Sequence, residues 1–483
     1  MQNEYDVVII GAGITGACVL HELAKYQLRI AVIDRENDVA EGTTKANSAI
    51  VHAGYDPHPG TKMAFHNVRG CAMYPSLCEE FSVPYKNCGS LVLSFKEEDD
   101  KLLEELYHRG RQNGVPGLRI LTKDELLKRE PNLNHAVRGA LYAPTAGIVN
   151  PWQLCIALAE HAVENGADAL LGHAVTSIEK TENGYTLHLE DGSEVKTRYL
   201  VNAAGVYADA VHAMLEEPDF SITAGKGQYY LFDQSEGNLV HEVIFQCPNE
   251  LGKGVLVSPT VDGNLIIGPD RVDSDQKEDL STSADGLAYI RKAAALSCDK
   301  LDYRKAIRNF AGLRAITGKE DFIIREVTGF PGFIELAGIQ SPGLTSAPSI
   351  ALEAVELLKG AGLALKLKES LTEPKKPVRM KTLSIQEQSR MIEQNPLYGR
   401  IICRCESITE GEIVDALKSP IAPPTIDAVK RRTSAGMGRC QGGFCSPRVL
   451  HIIARERGIA PEQVLKDKAG SYILLPNDET EVR

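Results

Sequence analysis

Four cysteines near the C-terminus constrain this chain more than any other feature. They form Cys403-Arg-Cys405 and Cys440-Gln-Gly-Gly-Phe-Cys445, with thirty-four residues between the two pairs. Four thiolates are the usual complement of an iron–sulfur cluster or a structural zinc, so two distant stretches must fold onto one centre. Zinc sites often use C-x2-C spacing, whereas this chain has C-x-C and C-x4-C. Gly436, Gly438, Gly442 and Gly443 surround the second pair, which lets the backbone curl tightly and aim N–H groups at sulfur. Such donors stabilise the extra negative charge of a reduced cluster and matter much less to redox-inert zinc. An iron–sulfur centre is the favoured reading.

The other seven cysteines (Cys18, Cys71, Cys78, Cys88, Cys155, Cys247, Cys298) are scattered and read as buried thiols in a reducing compartment. At 483 residues the chain exceeds one compact core, and two or three domains are expected. A net charge of −12 argues against non-specific binding to nucleic acid or to an anionic membrane, while leaving room for a local positive site. No apolar run is long enough to span a bilayer, and the start Met-Gln-Asn-Glu-Tyr-Asp has no basic leader region. The expected location is cytoplasmic, with peripheral membrane attachment left open.

The N-terminus carries a second pattern. Tyr5–Ile10 is an apolar run, Gly11-Ala-Gly-Ile-Thr-Gly16 follows, then a helical stretch, then the strand Leu28–Ile33 ending at Asp34. This is a dinucleotide-binding βαβ unit. Gly11 permits the tight turn, Gly13 lets backbone approach a pyrophosphate, and Gly16 allows close helix–strand packing. Phosphates sit against the helix N-terminus, and Asp34 accepts the ribose hydroxyls. FAD is preferred to NAD because further cofactor-type segments recur. These are Val201-Asn-Ala-Ala-Gly205 and the stretch Ala337-Gly-Ile-Gln-Ser-Pro-Gly-Leu-Thr345, which runs into a helix at Ala347–Leu358. A helix beginning near Thr345 would stabilise negative charge on a reduced ring.

The fold class expected is α/β and α+β. A discontinuous Rossmann-like FAD-binding domain would take residues 1–84, 146–215 and 321–365. A β-rich substrate domain would take 85–145 and 216–320. Residues 366–397, rich in Lys, Glu, Pro and Gln, read as a linker. A small helical domain at 398–460 would hold the cysteine quartet, and 461–483 forms a tail without a legible signal.

Several stretches resemble the D-amino-acid-oxidase-like family of FAD-dependent oxidoreductases, and within it the glycerol-3-phosphate oxidases and dehydrogenases of the shorter bacterial type. They include Thr44-Lys-Ala-Asn-Ser-Ala-Ile-Val-His-Ala-Gly-Tyr-Asp-Pro-His-Pro-Gly60, Gly227-Gln-Tyr, Gly252-Lys-Gly-Val, Phe310-Ala-Gly-Leu-Arg314 and Gln340-Ser-Pro-Gly-Leu-Thr345. The cysteine quartet resembles the ferredoxin-type 2Fe–2S domain related to bacterioferritin-associated ferredoxin, which is also appended to the large subunit of the anaerobic glycerol-3-phosphate dehydrogenase. The segment around His52 also resembles L-2-hydroxyglutarate dehydrogenases.

The resemblance implies oxidation of glycerol 3-phosphate to dihydroxyacetone phosphate by hydride transfer to FAD. Electrons would leave through a 2Fe–2S cluster on Cys403, Cys405, Cys440 and Cys445 to a partner or a quinone. The partner would be a second electron-transfer flavoprotein or iron–sulfur subunit. His52 is the expected base, since histidine titrates near neutral pH; His58 and His66 lack the family context. Lys253 and Arg314 would grip the phosphate. Contacts to FAD would come from Gly11, Ala12, Gly13, Gly16, Asp34, Thr44, Ser48, Val175, Gly205, Gly338, Ser341, Gly343, Leu344 and Thr345. Two alternatives stay open: a dehydrogenase of L-2-hydroxyglutarate or another 2-hydroxy or amino acid, and a non-catalytic electron-transfer subunit.

Overall fold

The computed structural model describes residues 4–247 and 254–475. The chain divides into two compact units, one running Met1–Arg35 and Val39–Glu373, the other Glu36–Asp38 and Pro374–Arg483.

In the first unit, the strand Glu4–Ile10 is buried along nearly its whole length, the pattern of a parallel strand covered on both faces. It pairs in parallel with Ile30–Asp34 and with Glu194–Asn202. Asp168–Leu171 extends the sheet beyond Ile30–Asp34, and Phe333–Ala337 runs parallel to Glu194–Asn202 on its far side. Strands from remote stretches of the chain therefore share one sheet. The hairpin Val175–Thr181 with Gly184–Leu189 joins through the outer half of Glu194–Asn202.

A second sheet of nine strands is organised around a long antiparallel ribbon, Thr223–Phe232 against Ala306–Ile316, in which Gly225 faces Arg314. The helix Ala284–Ser297 closes one face of this sheet, burying Ile290 and Ala294 against Phe232, Leu265 and Ile267.

The helices Ile14–Leu23 and Gly343–Gly360 pack on strands of the first sheet. Ile14–Leu23 and Lys62–Glu80 both pack on Gly343–Gly360. The Lys62–Glu80 crossing is very close: a Cβ on Gly70 would stand 2.0 Å from the Thr345 carbonyl oxygen, so only glycine fits. The late helix starts at Gly343, four residues before the expected Ala347, and continues through Pro348. Proline cannot donate to the carbonyl four residues back. The Tyr74 hydroxyl donates to that Leu344 oxygen instead, at 2.5 Å, which is why the turn before Pro348 stays helical. A buried pair joins Ile14–Leu23 to the helix Pro151–Glu164: His21 Nδ1 lies 3.3 Å from His161 Nδ1, and His161 Nε2 lies 2.8 Å from the Thr372 carbonyl.

In the second unit, the short strands Ile401–Cys403 and Ile408–Thr409 pair. The helices Glu410–Leu417, Ile426–Thr433 and Ser446–Arg457 bury Ile413, Leu417, Val429, Val449 and Ile453. Thr409 and Glu412 form a capping box on the first of them. Inside the stretch read as a linker lies a helix, Ile385–Gln394, started by a box of Ser384 and Glu387. Among the described residues no helix is long and apolar enough to cross a membrane.

Candidate active site

The glycine turn after the first strand has the form a pyrophosphate needs. Gly11 has φ +106°, and a Cβ there would meet the Ala203 carbonyl oxygen at 2.4 Å, so no side chain is tolerated. The helix Ile14–Leu23 then starts from Gly13 with no side-chain cap from that residue and no acid in its first turn, leaving a terminus that favours an anion. The Thr44 hydroxyl accepts from Ile14 N–H at 2.9 Å. Asp34 accepts from Ala12 N–H at 2.6 Å, fixing the turn to the end of the second strand. His173 N–H donates to the Asp34 carbonyl at 2.9 Å, which sets Val175, two residues on, near the same end. Gly205 has φ +59° and open space where a Cβ would be. This turn, acid and open glycine fit the adenosine and pyrophosphate of FAD.

The segment from Thr43 to Tyr55 is pinned on several sides. Thr43 Oγ1 donates to the Leu313 carbonyl at 2.6 Å, and Ser48 Oγ lies 3.3 Å from the Tyr229 hydroxyl. Tyr229 is itself stacked on Phe310 at 4.9 Å between ring centres. Ile50–Val51 pairs with Gly147–Val149. At His52 both peptide groups are engaged: its N–H donates to Thr345 Oγ1 at 2.9 Å, and its carbonyl accepts from Asn67 Nδ2 at 2.6 Å. The imidazole stacks on Phe245 at 5.7 Å with planes 27° apart, and its Nε2 stands 3.5 Å from Ser341 Oγ. A small pocket opens beside it, walled by Tyr55, Leu106, Phe245 and Gln246.

Gly343, Leu344 and Thr345 make the first turn of the late helix, and Pro342 at its head supplies no side-chain cap. The structure thus brings His52, Ser341 and Thr345 together, and separately gathers Ala12, Gly13, Asp34 and Thr44. Gly338 has φ +64°, with the Thr317 side chain 2.8 Å from where its Cβ would be.

Arg314 is half-buried on the ribbon. Its guanidinium passes over Gly227, where a Cβ would come within 2.8 Å of both Arg314 Nη2 and Pro269 Cβ. The carboxyl of Asp273 is held below its ordinary range, first by hydrogen bonds from Arg271, with a smaller contribution from the Arg314 charge. Lys253 lies outside the described residues. His66 is buried away from this setting, its ring between Ser349 and Glu353, and His58 is exposed.

Asn67, Phe245 and the Tyr229 hydroxyl were not singled out by the sequence. Tyr229 belongs to the Gly227-Gln-Tyr stretch, which carried a signal for its neighbourhood. Asn67 and Phe245 carried none, because their partner His52 is remote along the chain from Phe245 and one helix away from Asn67.

In the second unit the thiols stand as two pairs. Cys405 Sγ lies 3.7 Å from Cys440 Sγ, and Cys445 is the group that acts most strongly on the Cys403 thiol. Among the described residues no three His, Cys, Asp and Glu side chains converge on a single-ion position. Two thiol pairs suit a two-iron cluster, which takes two thiolates on each iron. The Cys403 thiol is drawn well below its ordinary range, first by Cys445 and then by N–H groups of Gly436, Glu406 and Cys405. Burial opposes ionisation of Cys440, but N–H donors from Phe444, Gly442 and Gly443 together with Cys405 prevail and lower it. The curled glycine loop does aim donors at sulfur.

Comparison with known proteins agrees with both halves. A family model described as FAD dependent oxidoreductase matches residues 6–357, and one described as a BFD-like 2Fe–2S binding domain matches residues 401–455. A glycerol 3-phosphate dehydrogenase of Caloramator mitchellensis is 49% identical over 480 residues, covering 99% of this chain and 100% of that protein. A glycerol 3-phosphate oxidase of Mycoplasma genitalium is 32% identical over 374 residues, covering 76% and 96%. The dithionite-reduced, FAD-bound L-alpha-glycerophosphate oxidase of Mycoplasma pneumoniae superposes with a TM-score of 0.74 at 31% identity, covering 78% of this chain and 99% of that one. The chain belongs to the FAD dependent oxidoreductase family, with a BFD-like 2Fe–2S binding domain after the flavin fold.

Proposed function

We propose that this enzyme oxidises glycerol 3-phosphate to dihydroxyacetone phosphate and passes the electrons through its 2Fe–2S centre to a separate acceptor protein. One observation carries the reading: the 49% identity to a glycerol 3-phosphate dehydrogenase extends over 480 residues, so it takes in the flavin fold and the cysteine domain together.

Bound FAD supplies the two-electron acceptor for the carbinol hydride. His52 takes the hydroxyl proton at Nε2. Its ring is held for this by Phe245 and by the two backbone hydrogen bonds, so little reorientation remains to be done at the moment of reaction. Ser341, 3.5 Å from that nitrogen, orients the ring or the substrate hydroxyl. Arg314 binds the phosphate as a fork, assisted by Lys253. Ala12, Gly13, Asp34, Thr44, Gly205 and the first turn of the late helix hold FAD, with Gly11, Gly16, Ser48, Val175 and Gly338 shaping its surroundings. Cys403, Cys405, Cys440 and Cys445 ligate the cluster.

The test is anaerobic addition of substrate to the purified holoprotein. Glycerol 3-phosphate alone should bleach the flavin absorbance. Bleaching by L-2-hydroxyglutarate or a small amino acid instead would reassign the substrate, and no bleaching by any of them would leave an electron-transfer subunit. Arg314→Ala should weaken capture of glycerol 3-phosphate by about 2–4 kcal/mol, the size of a lost charge-assisted contact at a transition state.

A further inference from the structure

The loop that carries Cys440 and Cys445 exposes a large aromatic side chain. Phe444 is 84% exposed, although its own N–H is one of the donors to the Cys440 sulfur. Burying such a ring on its own domain would contribute to stability, and Gly443 beside it leaves the backbone free to turn it inward. Nothing in the core of this unit uses it. Around it the charge is positive. Arg404 lies between Cys403 and Cys405, Arg439 precedes Cys440, and Arg448 is in the first turn of Ser446–Arg457; all three are exposed. Among the described residues neither Arg404 nor Arg448 meets a carboxylate. Residues 398–460 hold ten basic and six acidic side chains, in a chain whose net charge is −12.

The two thiol pairs also differ in depth. Cys403 and Cys445 are 1% and 3% exposed, whereas Cys405 and Cys440 are both partly open to solvent. Arg404 precedes Cys405 and Arg439 precedes Cys440, while the Phe444 N–H is aimed at the Cys440 sulfur.

We infer that the face formed by Phe444, Arg404 and Arg448 is the docking surface for an acidic one-electron carrier protein. An exposed aromatic with exposed arginines beside the same cysteines has the composition of a protein–protein hot spot, and the basic side chains select and steer a partner of opposite charge. A membrane surface is the less favoured occupant. Stable membrane attachment needs an apolar face of several residues or a second anchor, and here a single ring stands among glycines, a proline and arginines. The inference rests on the proposed outflow of electrons through the cluster, but not on which substrate reduces the flavin.

The experiment uses the full holoprotein with its cluster reduced by dithionite and the excess removed, so a failure of glycerol 3-phosphate to bleach the flavin leaves it intact. The probes are cytochrome b5, an acidic haem protein, and cytochrome c, a basic one. Cytochrome b5 should be reduced faster than cytochrome c at low salt, and its rate should fall about tenfold on going to physiological salt. The Arg404→Glu, Arg448→Glu double variant should lose about tenfold toward cytochrome b5 while reducing the small neutral acceptor benzoquinone at the original rate. Phe444→Ala should weaken calorimetric binding of cytochrome b5 to the oxidised holoprotein by about tenfold, with the midpoint potential of the cluster unchanged. A shifted potential with both acceptors slowed alike would mean the arginines only tune the cluster, and the docking surface would be withdrawn. Equal rates for the two cytochromes, or a rate indifferent to salt, would also overturn it. So would Phe444-dependent sedimentation with phosphatidylserine vesicles alongside unaltered cytochrome b5 binding, which would assign the face to a lipid surface.

Discussion

His52 owes its position to backbone contacts made by two side chains from elsewhere, Thr345 on its N–H and Asn67 on its carbonyl. Thr345→Val keeps the volume at a fully buried position but removes both the acceptor for His52 and the donor to the Ile50 carbonyl. The expected outcome is flavin reduction slowed by about tenfold to a hundredfold, since a small misplacement of a reacting group is that costly, with FAD still bound; single-turnover absorbance measures it. Arg314 offers a second test through Gly227. The Gly227→Ala methyl would press on the guanidinium and on Pro269, moving the fork without removing its charge. KM for glycerol 3-phosphate should rise roughly tenfold with kcat much less affected, the signature of lost uniform binding. At this scale the sequence singles out a candidate wherever it sits in a recognisable stretch, as His52, Ser341 and Arg314 do. It was silent on Asn67 and Phe245, because nothing in either residue's local context signals a partner that only folding brings near.

Among the elements, the late helix Gly343–Gly360 illustrates how a local rule is overridden. The sequence reading puts the helix at Ala347–Leu358, and a proline inside a helix removes a backbone donor. The hydroxyl of Tyr74, 270 residues away in sequence, satisfies the carbonyl that Pro348 leaves open, and the helix begins earlier. Tyr74→Phe should therefore cost about 1–3 kcal/mol, the penalty for a buried carbonyl left without a donor, read as a lowered thermal midpoint with FAD content checked separately. The packing of Ile14–Leu23 on Pro151–Glu164 makes a pH prediction. Burial pushes His21 down to about 3, with the Lys25 charge and His161 adding to the effect. An unfolded histidine titrates near 6.5, so as pH falls the unfolded chain takes up the proton first, and stability is lost from about pH 6.5 down toward 3. Between pH 7 and pH 5 the loss from this residue is about 2 kcal/mol. Unfolding midpoints of the His21→Leu variant should be flatter across that interval than those of the parent, and equal slopes would show that His21 does not set the dependence. The Thr372 carbonyl that closes this pair gave no sign in the sequence, since any residue can offer a backbone oxygen.

For the whole molecule, the division of the chain into two compact units predicts that their cofactors are lost separately. Cys440→Ser should deplete iron and the reduced-state paramagnetic signal, and abolish transfer to a protein acceptor. FAD content and bleaching by glycerol 3-phosphate should stay within about twofold of the parent, because the cysteine unit has a hydrophobic core of its own. Iron and sulfide analysis beside flavin absorbance decides it. The broad plan was legible: a glycine turn with its acid at one end and a cysteine quartet at the other each need a fixed local geometry, and short motifs encode that well. The nine-stranded sheet was less so. Its strand Ala306–Ile316 contains Arg308, Asn309, Gly312 and Arg314, which blur the period-two alternation that marks a half-buried strand.

The strand Phe333–Ala337 completes the first sheet beside Glu194–Asn202, and the helix that follows it carries Thr345. On the ribosome, then, the flavin fold lacks an edge and His52 lacks its anchor until well over half the chain has been made. Domains generally fold as units during synthesis, and incomplete sheets with unpaired edges are prone to misassociate. The nascent chain consequently carries an unpaired strand through most of its translation, and the cysteine unit, which takes in Glu36–Asp38 as well as Pro374–Arg483, likewise joins stretches made far apart in time.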